Sequence, residues 1–596
     1  MKSFLTRLLG ALSFIAIIFS PMAQAVAPKA VIADGGMVAS RSAWASQVGA
    51  QILDQGGNAI DAAVAVGFAL AVTYPSAGNL AGGGFMVIHL NDGTVITNDH
   101  REKAPGASTK DMFLDSDGKV VKGLSTKSHL AVGVPGSVAG LLSVLEKYGT
   151  MDRAQIMQPA IDLAANGILL DRDLAEAFAR RQPDFAPYAA SRAVFSNNGS
   201  LYEIGDRWIQ SDLAQTLIRI RDEGRDGFYK GRTADLLVAE MKSGNGLISH
   251  KDLEDYQPRW REAIRGTYKG YEIISMPPPS SGGILLVQML NMLEDFDLGA
   301  MGYGSSKAIH LMIEAERRAY ADRAEHLGDA DFYPVPVAQL TTKAYAKQRF
   351  ADFSPAKASL SENIESGKVP YESLETTHAS VIDAMGNAVS YTTTLNLSYG
   401  TKIVASGTGV LLNNEMDDFS AKENEPNFYG LIGRKANSIE PGKRMLSSMT
   451  PTIVAKDGKP LLVTGSPGGS TIITTTMQVV LNVLEHKMSL SDAVSSPRFH
   501  HQWLPTRVVY EPQAFSADTR RSLESMGHSE LVPLPGTYQI GDANSVMRSE
   551  KGFEGMADPR NAGTAVGSFT TPAAAQESDA GGFSLKSIWC VISSRC

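Results

Sequence analysis

Apolar positions along this chain follow a few distinct periods. Leu8 to Ser20 is an almost unbroken apolar run, set behind Lys2 and Arg7 and ahead of Pro21 and Ala23-Gln24-Ala25. This is the three-part layout of an export signal with cleavage after Ala25, and the run is shorter than the ~20 residues a spanning helix needs. Asn58 to Val72 is Ala-rich and apolar on most faces, which predicts a buried helix. Gly82-Gly83-Gly84 then leads into a strand over Phe85–Leu90. A phosphate cradle runs strand, glycine loop, helix, so these glycines are read instead as permitting close backbone packing. Ser305 to Leu327 has the period of a long amphipathic helix, with Ser305 or Ser306 as cap and Gly328 as stop.

Two hairpins stand out further on. Ser380–Ile382 and Ala388–Leu395 flank the turn Asp383-Ala384-Met385-Gly386-Asn387, and a turn centred on Met385 pairs Thr376 with Thr394. That register draws Thr376, Thr377, Thr392, Thr393 and Thr394 to one end of a ribbon; threonine pairs are also ordinary sheet furniture. The second hairpin, Thr452–Ala455 and Leu461–Thr464 about Asp457-Gly458, sets Ser447 across from Gly468. Gly465-Ser466-Pro467-Gly468-Gly469-Ser470 then opens a helix over Thr471–Leu484. Glycines at a helix start can offer free N–H groups to an anion, or can simply form a tight turn. Between helix and ribbon, Ser359 to Glu375 is polar, acidic and broken by Gly and Pro, which predicts an exposed loop.

Composition narrows the classes. The 596 residues carry a formal charge of −8, which gives no electrostatic footprint for nucleic acid. The two cysteines, Cys590 and Cys596, close off a disulfide scaffold and a cysteine-rich metal site. There is no GxSxG elbow, Walker A loop or HExxH, and His500-His501 has no third ligand at metal spacing, so both histidines are read as structural.

Thr376-Thr377-His378-Ala379-Ser380-Val381, Gly386-Asn387-Ala388-Val389-Ser390, Thr392-Thr393-Thr394-Leu395-Asn396 and Tyr399-Gly400 together resemble the γ-glutamyltranspeptidase signature. The resemblance runs from about Ala30 to Arg560. It takes in Gly78–Gly84, Arg101-Glu102, Asn413–Asp418, Ser447-Ser448-Met449 and Gly465–Gly469. The tail from Ser568 lies outside it and has the composition of a disordered extension.

The resemblance implies an N-terminal-nucleophile hydrolase, an α+β protein in a four-layer αββα sandwich. It also implies a precursor that cuts itself between Glu375 and Thr376 into a large subunit (26–375) and a small catalytic one (376–567), which remain a heterodimer. The cut is chemically apt: a threonine hydroxyl is a poor nucleophile, and a new α-amine with a pKa near ~7.7–8.0 supplies its base. By the same resemblance Thr394 orients the Thr376 hydroxyl, and the Gly468 and Gly469 N–H groups hold the oxyanion. Arg101, Ser447 and Ser448 take the donor's α-carboxylate, and Asn396, Glu415 and Asp418 its α-ammonium. Tyr429 gates the pocket from a lid around Asn427–Gly430. The implied reaction moves a γ-glutamyl group from glutathione or a related compound to water, an amino acid or a dipeptide. It takes place in the periplasm or outside the cell and needs no metal or organic cofactor. Two rivals remain: a cephalosporin (glutaryl) acylase on the same scaffold, and a non-enzymatic exported binding protein. A glutaryl group has no ammonium for Asp418, and a binding protein needs no free N-terminal threonine.

Overall fold

The computed structural model describes residues 28–361, 376–536 and 538–570. The export signal, most of the acidic loop including Glu375, and nearly all of the tail beyond Ser568 lie outside the described residues.

Two seven-stranded antiparallel sheets form the centre. In one, the strands run in the order Thr564–Ser568, Gly36–Ser40, Thr377–Asp383, Ala388–Thr394, Gly83–His89, Val95–Asp99 and Arg259–Arg261. In the other the order is Val31–Ala33, Gly552–Met556, Ser545–Ser549, Lys459–Thr464, Thr452–Lys456, Tyr271–Ser275 and Ile264–Tyr268.

The period of two along each strand builds the layers. Met37, Ala39, Phe85, Val87, Ile382, Ile453 and Val463 point between the sheets and make one core. Their strand neighbours Val38, Met86, Ile88 and Val381 face outward onto helices that include Ala43–Asp54, Ala59–Thr73 and Ser137–Tyr148. Val454 and Leu462 face the opposite way, onto Gly282–Leu293, Ser306–His326 and Ile472–Leu484. Both faces of both sheets are thus apolar, and the result is the expected αββα sandwich.

Local chemistry sets the element ends. Asn58 caps its helix through a reciprocal pair with Asp61, at 2.9 Å in each direction. Ser305 caps the long helix by accepting from Ala308 N at 3.2 Å. Gly82, Gly83 and Gly84 do serve close packing: a Cβ on Gly82 would lie 2.1 Å from Thr394 O, and one on Gly84 2.4 Å from Thr392 O.

The first hairpin keeps the expected register, with Thr377 opposite Thr393. The second does not keep it throughout. A bulge between Val454 and Ala455 shifts the pairing by one residue, so that Thr452 faces Thr464. The ladder ends at that pair, so Ser447 does not lie across from Gly468; it forms a parallel bridge with Ser280. The described start of the acidic loop is also more anchored than its composition suggests. Leu360 is 63% exposed, but Ser361 is buried and bonded to Arg317, and Ser359 is bonded to Arg318.

Candidate active site

Thr376 is buried at the end of the central ribbon, one residue before the pair Thr377–Thr393, on the same edge as Thr394. Thr394 Oγ1 accepts from Asn396 N at 2.8 Å, and Asn79 Nδ2 fixes the Thr394 carbonyl at 2.8 Å. His378, next along the strand, bonds Thr392 Oγ1 at 2.8 Å and Ser380 Oγ at 3.0 Å. Burial holds its pKa down to about 3, so it is a neutral prop inside the sandwich. The resemblance assigns no role to Asn79 or His378.

Gly468 has φ +140° and Gly469 φ +52°, conformations open to glycine, and a short 3-10 turn from Gly469 leads into the helix Ile472–Leu484. Their N–H groups precede the first intrahelical acceptor. Tyr429 packs directly over Gly469, where an added Cβ would sit 2.3 Å from the ring, and its hydroxyl donates to Asn396 O at 2.7 Å. The expected lid residue therefore covers the expected oxyanion site.

The charged half of the site is dense. Arg101 is fully buried; its Nη1 donates to Glu415 Oε1, its Nη2 to Asp418 Oδ2, and Glu102 Oε2 lies 3.6 Å away. The residue expected to hold a carboxylate is thus held by the residues expected to hold an ammonium. Burial opposes its charge, but Glu415, Asp418 and Glu102 outweigh burial and raise its pKa. For the acids burial wins instead, and favours the neutral form. Burial raises Glu102 to about 7 against the pull of Arg101, and raises Glu415 and Asp418 as well. Asp417, bonded to Ser125 at 2.5 Å, is pushed by burial to about 7.

Two kinds of unspent capacity meet here. Asn396 Oδ1 and Glu415 Oε2 are buried acceptors with no donor among the described residues. Ser447 Oγ accepts from Met449 N at 3.1 Å and Ser448 Oγ from Arg323 Nη2 at 3.3 Å, and neither hydroxyl donates to a described residue. Free acceptors on one side and free O–H donors on the other form a cradle for a ligand carrying both an ammonium and a carboxylate.

Metal ligation has one candidate among the described residues: ligand atoms of His310, Glu314 and His528 lie within 4.8 Å of one another. The two imidazoles bond each other at 2.8 Å, His310 Nε2 bonds Ser354 O at 2.8 Å and Glu314 is engaged by Arg317 and Arg318, so these atoms are taken up within a polar cluster, with His528 Nδ1 left without a partner among the described residues. His500 is bonded on both ring nitrogens, to Thr474 and Gln502, in keeping with a structural role.

The family profile for Gamma-glutamyltranspeptidase matches residues 45–568. A glutathione hydrolase proenzyme of Escherichia coli (strain K12) is 49% identical over 534 residues, which is 89% of this chain and 91% of that protein. One from Pseudomonas sp. (strain A14) is 48% identical, covering 92% of this chain and 97% of that protein. Among solved structures, a cephalosporin acylase from Bacillus halodurans superposes with a TM-score of 0.80 at 25% identity, over 93% of this chain and all of that one. With the sandwich and the two-sided cradle in place, these matches settle the lineage: the chain belongs to the gamma-glutamyltranspeptidase family.

Proposed function

We propose that this chain is a self-processing γ-glutamyltransferase and glutathione hydrolase. The single observation that carries the reading is the cradle around Arg101, which bonds Glu415 and the Met445 carbonyl: unpaired acceptors on Asn396 and Glu415 together with unspent hydroxyl donors on Ser447 and Ser448. A γ-glutamyl group supplies an ammonium for the first pair and a carboxylate for the second. Its ammonium also substitutes for the Arg101 guanidinium beside Glu415 and Asp418, and this frees Arg101 N–H groups for the carboxylate. A glutaryl group brings only the anion and leaves three acids without a new cation. The acylase reading is weaker for that reason, and the curated relatives at 48–49% identity carry the hydrolase name.

The chemistry is two-step acyl transfer. After cleavage between Glu375 and Thr376, the new α-amine takes the Thr376 hydroxyl proton as Oγ attacks the γ-carbonyl. The oxyanion forms against the N–H groups of Gly468 and Gly469, the C–N bond breaks, and the leaving amine takes the proton. Water, an amino acid or a dipeptide then attacks the γ-glutamyl ester and regenerates Thr376. The two fragments stay together as a heterodimer, because both central sheets draw strands from each side of the cut. No helix among the described residues is long and apolar enough to cross a membrane. With the export signal ahead of Ala25, the proposed location is the periplasm.

The test is a denaturing gel with N-terminal sequencing of the purified protein, together with release of p-nitroaniline from γ-glutamyl-p-nitroanilide. A small fragment beginning at Thr376 and measurable release are expected. An intact chain with no release sinks the proposal.

A further inference from the structure

The helix Ser306–His326 sends a row of arginines inward. Arg317 and Arg318 each pair with Glu314. Arg323 is as deeply buried, at 5% exposed, yet ion-pairs with no carboxylate among the described residues; its Nε donates to Ser281 Oγ at 3.0 Å and its Nη2 to Ser448 Oγ at 3.3 Å. A buried guanidinium held only by hydroxyls is an expensive arrangement unless an anion completes it.

The hydroxyl directions follow from the donors. Ser281 Oγ, accepting from Arg323, passes its own proton to Ser447 O at 2.8 Å, where Ser281 N also donates at 2.8 Å. Ser448 Oγ, accepting from the same guanidinium, has its proton left for an incoming acceptor. One planar fork therefore governs both serines, Ser448 directly and Ser447 through Ser281. Burial lowers the Arg323 pKa to about 10, with Tyr320 and Asp418 opposing, so the group stays charged at neutral pH.

We propose that Arg323 is a positioning residue for the donor's α-carboxylate: it turns the Ser448 hydroxyl into the pocket, holds Ser447 in place through Ser281, and adds a second positive charge to that of Arg101, which Glu415 and Asp418 engage until the donor's ammonium releases it. The proposal rests on the γ-glutamyl reading above. Lysine cannot replace the fork, because a single ammonium does not present two coplanar donors to Ser281 and Ser448.

The experiment uses the mature enzyme carrying Arg323→Lys, Arg323→Gln or Ser281→Ala, each first checked for cleavage at Thr376 and for its melting temperature. Steady-state kinetics are measured on γ-glutamyl-p-nitroanilide and on 4-aminobutyryl-p-nitroanilide, which keeps the ammonium but lacks the α-carboxylate. Arg323→Lys is expected to raise KM for the γ-glutamyl substrate about tenfold or more with kcat within about threefold, since hydrogen bonds to charged groups are worth that much. Ser281→Ala should move KM the same way by a few-fold, and turnover of the aminobutyryl substrate should be unaffected by either. If KM stays within about twofold, or both substrates lose equally, Arg323 is only a core residue and the proposal falls. If either Arg323 variant fails to mature, Ser281→Ala decides by the same criterion. Failure of the unmodified enzyme on γ-glutamyl-p-nitroanilide would overturn the functional reading itself, a separate outcome.

Discussion

The two ends of the candidate site are built from different materials. At the reacting end, Thr376 and Thr394 sit on a regular ribbon and Gly468 and Gly469 on a helix start, so geometry comes from the backbone and formal charge is nearly absent. At the recognition end, Arg101 and Glu102, Glu415 and Asp418, and Arg323 arrive from three separate segments and pack as buried ions. The reacting end should therefore be sensitive to atoms and bulk but tolerant of charge changes nearby. The recognition end should be sensitive to single charges and to pH.

The sharpest way to isolate the reacting end is Thr376→Ala, which is expected to give one uncut band on a denaturing gel and no γ-glutamyl turnover. Cleavage directly after Glu375 in that variant would sink the nucleophile assignment. Next in size is Gly469→Val. The φ of +52° and the Tyr429 ring 2.3 Å from the added Cβ leave no room, so the N–H must move and the lid must rise. Loss of one oxyanion donor typically removes ~10²–10³ in turnover. The matured fraction should show that loss while thermal melting changes little, and near-normal turnover would return the glycines to the role of a turn.

Asp418→Asn probes the recognition end. Truncating a buried charge pair costs on the order of 2–5 kcal/mol, so kcat/KM on γ-glutamyl-p-nitroanilide should fall tens-fold or more. The loss on a glutaryl anilide, which has no ammonium, should be much smaller; equal losses would make Asp418 structural.

The smallest effect concerns Glu102. Its folded pKa, about 7, lies above its ordinary value of 4.5, so between those pH values the folded state binds more protons than the unfolded one. Stability from this group is present below that window and declines as pH rises through it, by at most on the order of 3 kcal/mol. Glu102→Gln should flatten the fall in melting temperature between about pH 5 and pH 7. An unchanged slope would assign that titration to Asp417 or Glu415.

Particular elements show what was readable in advance. The hairpin register at Thr377–Thr393 was legible because a five-residue turn and two alternating strands leave one in-register solution. The second hairpin slipped by a residue because of the bulge at Val454/Ala455, where the facing strand jumps from Leu462 to Pro460; Pro460, a residue suited to a bulge, was the one local signal of it. Arg101, Glu415 and Asp418 were legible through their motifs, but their mutual pairing was not, since charges separated by more than three hundred residues reveal no partner. Arg323 and Ser281 were missed: an arginine near the end of an amphipathic helix reads as a solvated charge, and only its burial sets it apart.

By itself, the sequence determined the local elements, the cap at Ser305, the threonine ribbon and the glycine-rich helix start, because each depends on interactions within a few residues. It also carried the family, through motifs spread along most of the chain. Only the tertiary structure decided which acids bind Arg101, that Tyr429 lies over Gly469, and that Arg323 is buried with hydroxyls alone as partners. Those features depend on which faces the sandwich brings together and on how far each charge is taken from water, and neither quantity is a property of any single stretch of chain.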